Sequence, residues 1–329
     1  MNLSRKTFIT ATVLAIFSLT TINAIAQAAW PSKPVSLVIP FAAGGPTDVV
    51  GRAIAASMTK STGNPVIVEN KVGAGGTVGS AYVKNAKPDG YTFLLHHIGM
   101  ATAPALYRKL SFNPLADFEY VSQVVDVPMT LIARKDFPAK DVKDLVAYVK
   151  ANSSKVNLGN AGVGSASHLC GMMFQKALGA DLTTVPFSGT GPAMNALLGG
   201  QIDLMCDQTT NTVGQIKGGA VKVYAVTTAK RIKALPATPS LAESGIKDFE
   251  VVVWHGVYAP KGTPKDVTDK FNTMVKNALK DPDVIKSFTD LGTESVPASK
   301  LTSAGLESWL KSEIDKYGPV IRAAAQFAD

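Results

Sequence analysis

Cysteine, histidine and long apolar runs are scarce in this 329-residue chain, and each shortage closes off a class of function. The two cysteines are Cys170 and Cys206, and the four histidines are His96, His97, His168 and His255. Too few thiols and imidazoles stand at ligand spacings to build a metal site, so no metal and no cofactor is expected. Cys170 falls in a predicted helix and Cys206 at the end of a predicted strand, so both read as small buried hydrophobes rather than as a disulfide. Past the N-terminus, nothing approaches the roughly 18 uninterrupted apolar residues of a membrane span. Thirty-three basic residues against 25 acidic ones give a net charge of +8, but the excess is scattered. Its densest group, Lys230-Arg231-Ile232-Lys233, lacks interleaved aromatics, which excludes a nucleic-acid surface and leaves a mild attraction for anions.

What is present begins with an export signal. Arg5 and Lys6 precede an uncharged, largely apolar run from Phe8 to Leu19 and the small-residue sites Ala24-Ile25-Ala26 and Ala26-Gln27-Ala28, so cleavage is expected after Ala28. No cysteine marks a lipid anchor there, and the expected compartment is a Gram-negative periplasm. Removing Met1–Ala28, which carries Arg5 and Lys6 and no acidic residue, leaves 301 residues and a net charge of +6. That is length enough for two domains of ordinary size.

Strand and helix patterns then alternate. Val35–Ile39, Pro65–Glu69 and Tyr91–Leu95 read as strands, with helices over Val49–Met58 and Gly76–Asn85. A second series places strands at Met129–Ala133, Val156–Leu158, Thr183–Pro186, Ile202–Cys206, Val221–Val226 and Glu250–Trp254, with helices over Val142–Lys150, Ser167–Leu178 and Pro192–Leu198. Continuous apolar strands alternating with helices predict parallel α/β units whose sites lie beyond the carboxyl ends of the strands. Thr263-Pro264-Lys265-Asp266 starts a helix with a stripe of Val267, Phe271, Met274, Val275 and Ala278, and another helix runs through Leu306, Trp309, Leu310, Ile314 and Tyr317. These terminal helices are expected to return to the first unit, giving lobe 1 as residues 29–128 plus 254–329 and lobe 2 as 129–253. The chain then crosses near Val124–Met129 and near Asp248–His255.

Two glycine-rich turns carry the chemistry. Pro40-Phe41-Ala42-Ala43-Gly44-Gly45-Pro46-Thr47-Asp48 and Gly159-Asn160-Ala161-Gly162-Val163-Gly164-Ser165-Ala166-Ser167-His168 each join a strand to a helix. Such a turn aims unpaired N–H groups and a partial positive charge at whatever lies in front of it, so it holds an anion without a lysine or arginine. Asp48 reads as a helix-start carboxylate rather than a catalytic one. A serine-hydrolase reading of Ser165, Ser167 and His168 fails on Gly-x-Ser-x-Gly, which is absent, and no catalytic residue is assigned. Gly73-Ala74-Gly75-Gly76-Thr77-Val78-Gly79 misses the third glycine of a dinucleotide fingerprint and reads as a tight turn. His96 and His97 end a strand and must point to opposite sides, so at most one faces a cleft. Trp254 and His255 sit at a domain crossing, and Asp207 lies at the carboxyl edge of its strand.

Together with Glu69–Gly79, Lys87-Pro88-Asp89-Gly90-Tyr91-Thr92, Leu197-Leu198-Gly199-Gly200-Gln201-Ile202-Asp203 and Ala259-Pro260-Lys261-Gly262-Thr263-Pro264, the first turn resembles the Bug family. These are periplasmic receptors of tripartite tricarboxylate transporters, and the resemblance covers essentially the whole mature chain. It implies a type II periplasmic-binding-protein fold, two α/β lobes with a ligand cleft between them, acting as a monomer that delivers a small organic carboxylate to membrane permease subunits. It also implies that Phe41, Gly44, Thr47 and Asp48 belong to one jaw, and Gly164, Ser165, Ala166, Ser167, His168, Phe187, Thr190 and Asp207 to the other. The chain departs from the family at Ala42-Ala43, where Pro-Pro or similar is usual, and at Leu95–Met100, which replaces a small-residue loop. The aromatic candidates Phe41, Phe187, Trp254 and the His pair point toward a dicarboxylate such as terephthalate. A sensor feeding a signalling partner and a periplasmic serine hydrolase are the alternatives.

Overall fold

Short apolar runs alternating with amphipathic segments build two sheet regions that share one long strand. The computed structural model describes residues 30–324, so the expected signal segment Met1–Ala28 lies outside the described residues. Strand β1 (Val35–Ile39) is flanked by the parallel strands β2 (Val66–Asn70) and β3 (Thr92–His97). Antiparallel β9 (Val252–Pro260) follows β3, and β4 (Phe118–Arg134) follows β9.

Strand β4 changes partners along its length. Up to Pro128 it pairs with β9, and from Met129 it pairs with β7 (Leu204–Gln208) and β8 (Val221–Val226). Parallel β5 (Asn157–Asn160) and β6 (Thr183–Pro186) extend the second region, and the short β10 (Glu294–Ser295) pairs with β4. The order is β2-β1-β3-β9-β4-β7-β5-β6. Two α/β lobes therefore meet along β4, a single strand where the sequence reading had placed only Met129–Ala133. The polar residues Ser122, Gln123 and Asp126 and the strand-breaking Pro128 mask its first half, although Ser122 and Gln123 are fully buried.

Helices cover both regions. α1 (Pro46–Thr62) starts with proline and stops at left-handed Gly63. α2 (Thr77–Lys84) and α3 (Gly99–Leu106) complete the first series, and α4 (Val142–Ala151), α5 (Ala166–Leu178), α6 (Thr190–Leu198) and α7 (Thr209–Lys217) pack on the second. α8 (Lys265–Ala278) and α9 (Pro282–Asp290) return to α1, where Ser57 Oγ donates to Asp281 at 2.7 Å, and Phe271 of α8 stacks on Phe93 of β3. α10 (Ser303–Ala324) packs against α3 and β4. No helix among the described residues is long and apolar enough to cross a membrane.

Cys170 and Cys206 correct the sequence reading. Both are buried as expected, but helix α5 lies directly on strand β7 and brings their Cα atoms to 6.0 Å, where they form a disulfide. Their separation of 36 residues gives no hint that this helix crosses this strand.

Candidate functional site

The carboxyl ends of β1, β2 and β3 face those of β5, β6 and β7 across a cavity of about 540 Å³, a size suited to a small ligand. The turns following β1, β2, β5 and β6 and the last residues of β3 and β7 contribute to its wall. Among the described residues no lysine or arginine lines it, and its one carboxyl group is Asp207.

The first jaw is the turn before α1. Gly44 adopts a left-handed φ of 76°, and Gly45 caps the helix with no side-chain hydrogen bond, so no side chain covers the first N–H groups of α1. Asp48 holds this turn in place from behind. Its Oδ2 accepts from the Gly44 N–H at 2.8 Å and from Arg52 Nε at 2.7 Å, and its Oδ1 accepts from Asn70 Nδ2 at 2.9 Å. Burial alone would raise this carboxyl; the bonds from Arg52, Gly44 and Asn70 outweigh it and keep the group below the usual carboxylate range.

The second jaw opens with Ser165, whose Oγ accepts from the His168 N–H at 3.1 Å as the cap of α5. Ser167 Oγ donates to the Cys206 carbonyl at 2.7 Å, and the Gly164 N–H points at His168 Nδ1 at 3.4 Å. Both serine hydroxyls thus hold backbone in place. Beside them, α6 starts at Thr190 behind Gly189, whose φ is 123°, and α7 starts behind Gln208; neither has a side-chain cap. Helix starts from both lobes therefore border one cavity, and together they favour negative charge.

Asp207 stands among them. Its Oδ2 accepts from Asn211 Nδ2 at 2.8 Å, and burial pushes the carboxyl up to about 7 despite that bond and one from the Gln208 backbone. Gln208 Oε1 is buried without a hydrogen-bond partner on the same wall.

Behind the first jaw lies a histidine cluster. The His97 ring stacks on Phe41 with centroids 4.1 Å apart, His96 meets Phe41 edge-on, and His255 Nε2 lies 3.1 Å from Thr47 Oγ1. The Gly99 N–H donates to His97 Nδ1, which places the proton of the neutral ring on Nε2. Burial pushes His96 and His255 down to about 3 and lowers His97 well below the usual imidazole range, with its two neighbouring rings adding to the effect.

Of the residues singled out from the sequence, Phe41, Gly44, Thr47, His97, Ser165, Ala166, Ser167, Phe187, Thr190 and Asp207 line the cavity. Asp48, His96, Gly164, His168, Trp254 and His255 are not among the lining residues. The Trp254 indole is buried in the first lobe and donates to Glu313 Oε2 at 3.0 Å, and Gly164 packs against the Tyr107 ring. Gln208, at the carboxyl edge of its strand beside Asp207, also lines the cavity, as do Tyr107, which the sequence does not single out, and the turn Gly73–Gly76, which it reads only as a tight turn. The glycines of that turn were the available signal, since it follows β2 as the first jaw follows β1.

Comparison with known proteins converges on one family. The model of the tripartite tricarboxylate transporter family receptor matches residues 50–325. A protein of the TAR-I ttuE-ttuC' intergenic region of Agrobacterium vitis is 50% identical over 301 residues, covering 92% of this chain and 87% of that one. The solved periplasmic binding protein BugD is 50% identical at a TM-score of 0.87, covering 91% of this chain and 99% of its own. MatC from Rhodopseudomonas palustris, solved with bound malate, is 40% identical at a TM-score of 0.85 and covers 89% of this chain and all of its own.

Proposed function

The chain belongs to the tripartite tricarboxylate transporter receptor family, and we propose that it is a periplasmic solute-binding protein that captures a small organic dicarboxylate by lobe closure and delivers it to a membrane permease. The observation that carries this reading is the cavity itself: helix starts from both lobes border it, and no lysine or arginine among the described residues stands on its wall. Dipoles and N–H groups hold an anion firmly enough to capture it, yet leave it free to be handed on. The lobes are residues 29–128 plus 254–329 and residues 129–253, hinged on β4 and β9. Because the ligand touches both, it favours the closed form, the form a permease recognises. Binding proceeds without chemistry, in keeping with serine hydroxyls that hold backbone.

Malate bound to MatC supports an aliphatic dicarboxylate of a few carbons. Phe41 and Phe187, on opposite sides of the same cavity, support a flat aromatic one such as terephthalate as the second reading. A thermal-shift screen of the mature chain against malate, succinate, adipate, terephthalate and monocarboxylate controls tests both. A ligand present at a hundredfold excess over its Kd adds about 2.7 kcal/mol to the folded state, a clear rise in Tm. No shift with any carboxylate contradicts the proposal. Uptake of the bound ligand by cells lacking this chain then separates delivery from sensing, because unchanged uptake favours a sensor.

A further inference from the structure

Asp207 sits where a carboxylate is least expected, on the wall of a cavity built to attract anions. The residue is 1% exposed, and no lysine or arginine among the described residues lines the cavity beside it. The elements packed around it present Thr130 from β4, Ser167 from α5, and Asn211 and Thr212 from α7. Asp48, on the neighbouring α1, stays behind its turn and is held by Arg52. The other titratable side chains on the cavity wall are the His97 imidazole, which burial keeps neutral, and the Tyr107 phenol. An ionised Asp207 would thus face a dianionic ligand as a third negative charge with no cationic side chain beside it in a site of low dielectric.

Resting on the dicarboxylate reading, we infer that Asp207 is the specificity residue for the ligand's second carboxylate: it meets that group as a neutral carboxylic acid, so that ligand and one proton are bound together. A neutral acid donates a hydrogen bond where its anion would repel, and two carboxyl groups sharing one proton form a short, strong pair. The upward displacement of this carboxyl by burial, to about 7, agrees with that role. The proton comes from solvent on binding and returns to it on release. Ligands lacking the second carboxylate lose this contact.

The test is isothermal titration of the full mature chain with malate and with adipate at pH 7, 8 and 9, in two buffers of different ionisation enthalpy. Both ligands are fully ionised in this range, so any change in Kd belongs to the protein. The expected result is a Kd that rises about fivefold from pH 7 to 8 and about ninefold from pH 8 to 9, with a proton uptake of about one-half per ligand at pH 7 that approaches one at pH 9, and Asp207→Asn showing neither. Dicarboxylate binding with no proton uptake and a Kd flat from pH 7 to 9 overturns the assignment and leaves the receptor reading standing. Failure to bind any dicarboxylate at any of these pH values overturns the receptor reading on which it rests. Should the variant fail to fold, the proton count of the wild-type chain decides alone.

Discussion

The Tyr107 hydroxyl lies 3.3 Å from the Val163 carbonyl oxygen and donates to it across the cleft, tying the first lobe to the second. One such bond contributes about 0.5–1.5 kcal/mol. Tyr107→Phe should therefore bias the chain toward the open form and weaken ligand binding about two- to tenfold while leaving Tm nearly unchanged. Titration calorimetry and small-angle scattering of the free chain check this; unaltered affinity with an unaltered radius of gyration would remove the latch from the account.

Gly75 fits beneath that latch because it has no side chain. A Cβ built there would lie 2.6 Å from Tyr107 Oη and 2.7 Å from the Val163 oxygen, and its φ of 60° adds strain for any other residue. Gly75→Val should hold the lobes apart and cost at least tenfold in affinity, more than Tyr107→Phe. A Gly75→Val chain that binds as tightly as wild type would show that closure does not bring these turns together.

The Cys170–Cys206 bond closes a loop of 36 residues within lobe 2. Chain-entropy arguments assign such a crosslink about 4 kcal/mol. Cys170→Ser with Cys206→Ser should lower the urea midpoint markedly, and added reductant should then change nothing further. Equal midpoints for wild type with and without reductant would count against the bond as a stabilising element.

Stability should depend on pH through two opposed groups. His96, His97 and His255 stay neutral when folded but take up protons near pH 6.5 when unfolded, so they destabilise the fold as pH falls below about 6.5. Asp207, at about 7 when folded against 3.8 when unfolded, works the other way: the folded chain holds its proton between these values, and stability rises as pH falls through them. Near pH 5.5, three protons taken up on unfolding against one released leave a net uptake of about two, so stability falls toward acid. Asp207→Asn removes the opposing proton and should steepen that fall by about half. Urea titrations between pH 5 and 6.5 measure it; identical slopes for the two chains would contradict the placement of Asp207.

The parts of the site legible in the sequence are those fixed by local backbone chemistry. Gly44-Gly45-Pro46-Thr47 and Gly164-Ser165-Ala166-Ser167 spell a turn and a helix start within a few residues, and both turned out to face one cavity. The terminal helices α8 and α10 were readable from capping or an apolar stripe, whereas α9, whose Asp281-Pro282 start also reads as a stop, was not. What escaped depends on contacts distant in the chain. Tyr107 matters through a carbonyl 56 positions away, and the Glu313 that holds the Trp254 indole lies 59 positions away. Helices α3 and α7, with their run of small residues and threonines, carry weak periodicity and were not anticipated. Of the two adjacent histidines, alternation allowed only one to reach the cleft, but the choice of His97 required the fold.

The central claim is reversible capture of a dicarboxylate by two jaws. Titration of the mature chain with the best ligand from the screen, followed by mass spectrometry of the small molecule recovered after denaturing the protein, tests it most directly. One ligand bound per chain and recovered unchanged is the predicted result; no saturable binding of any dicarboxylate, or recovery of a converted product, would contradict it.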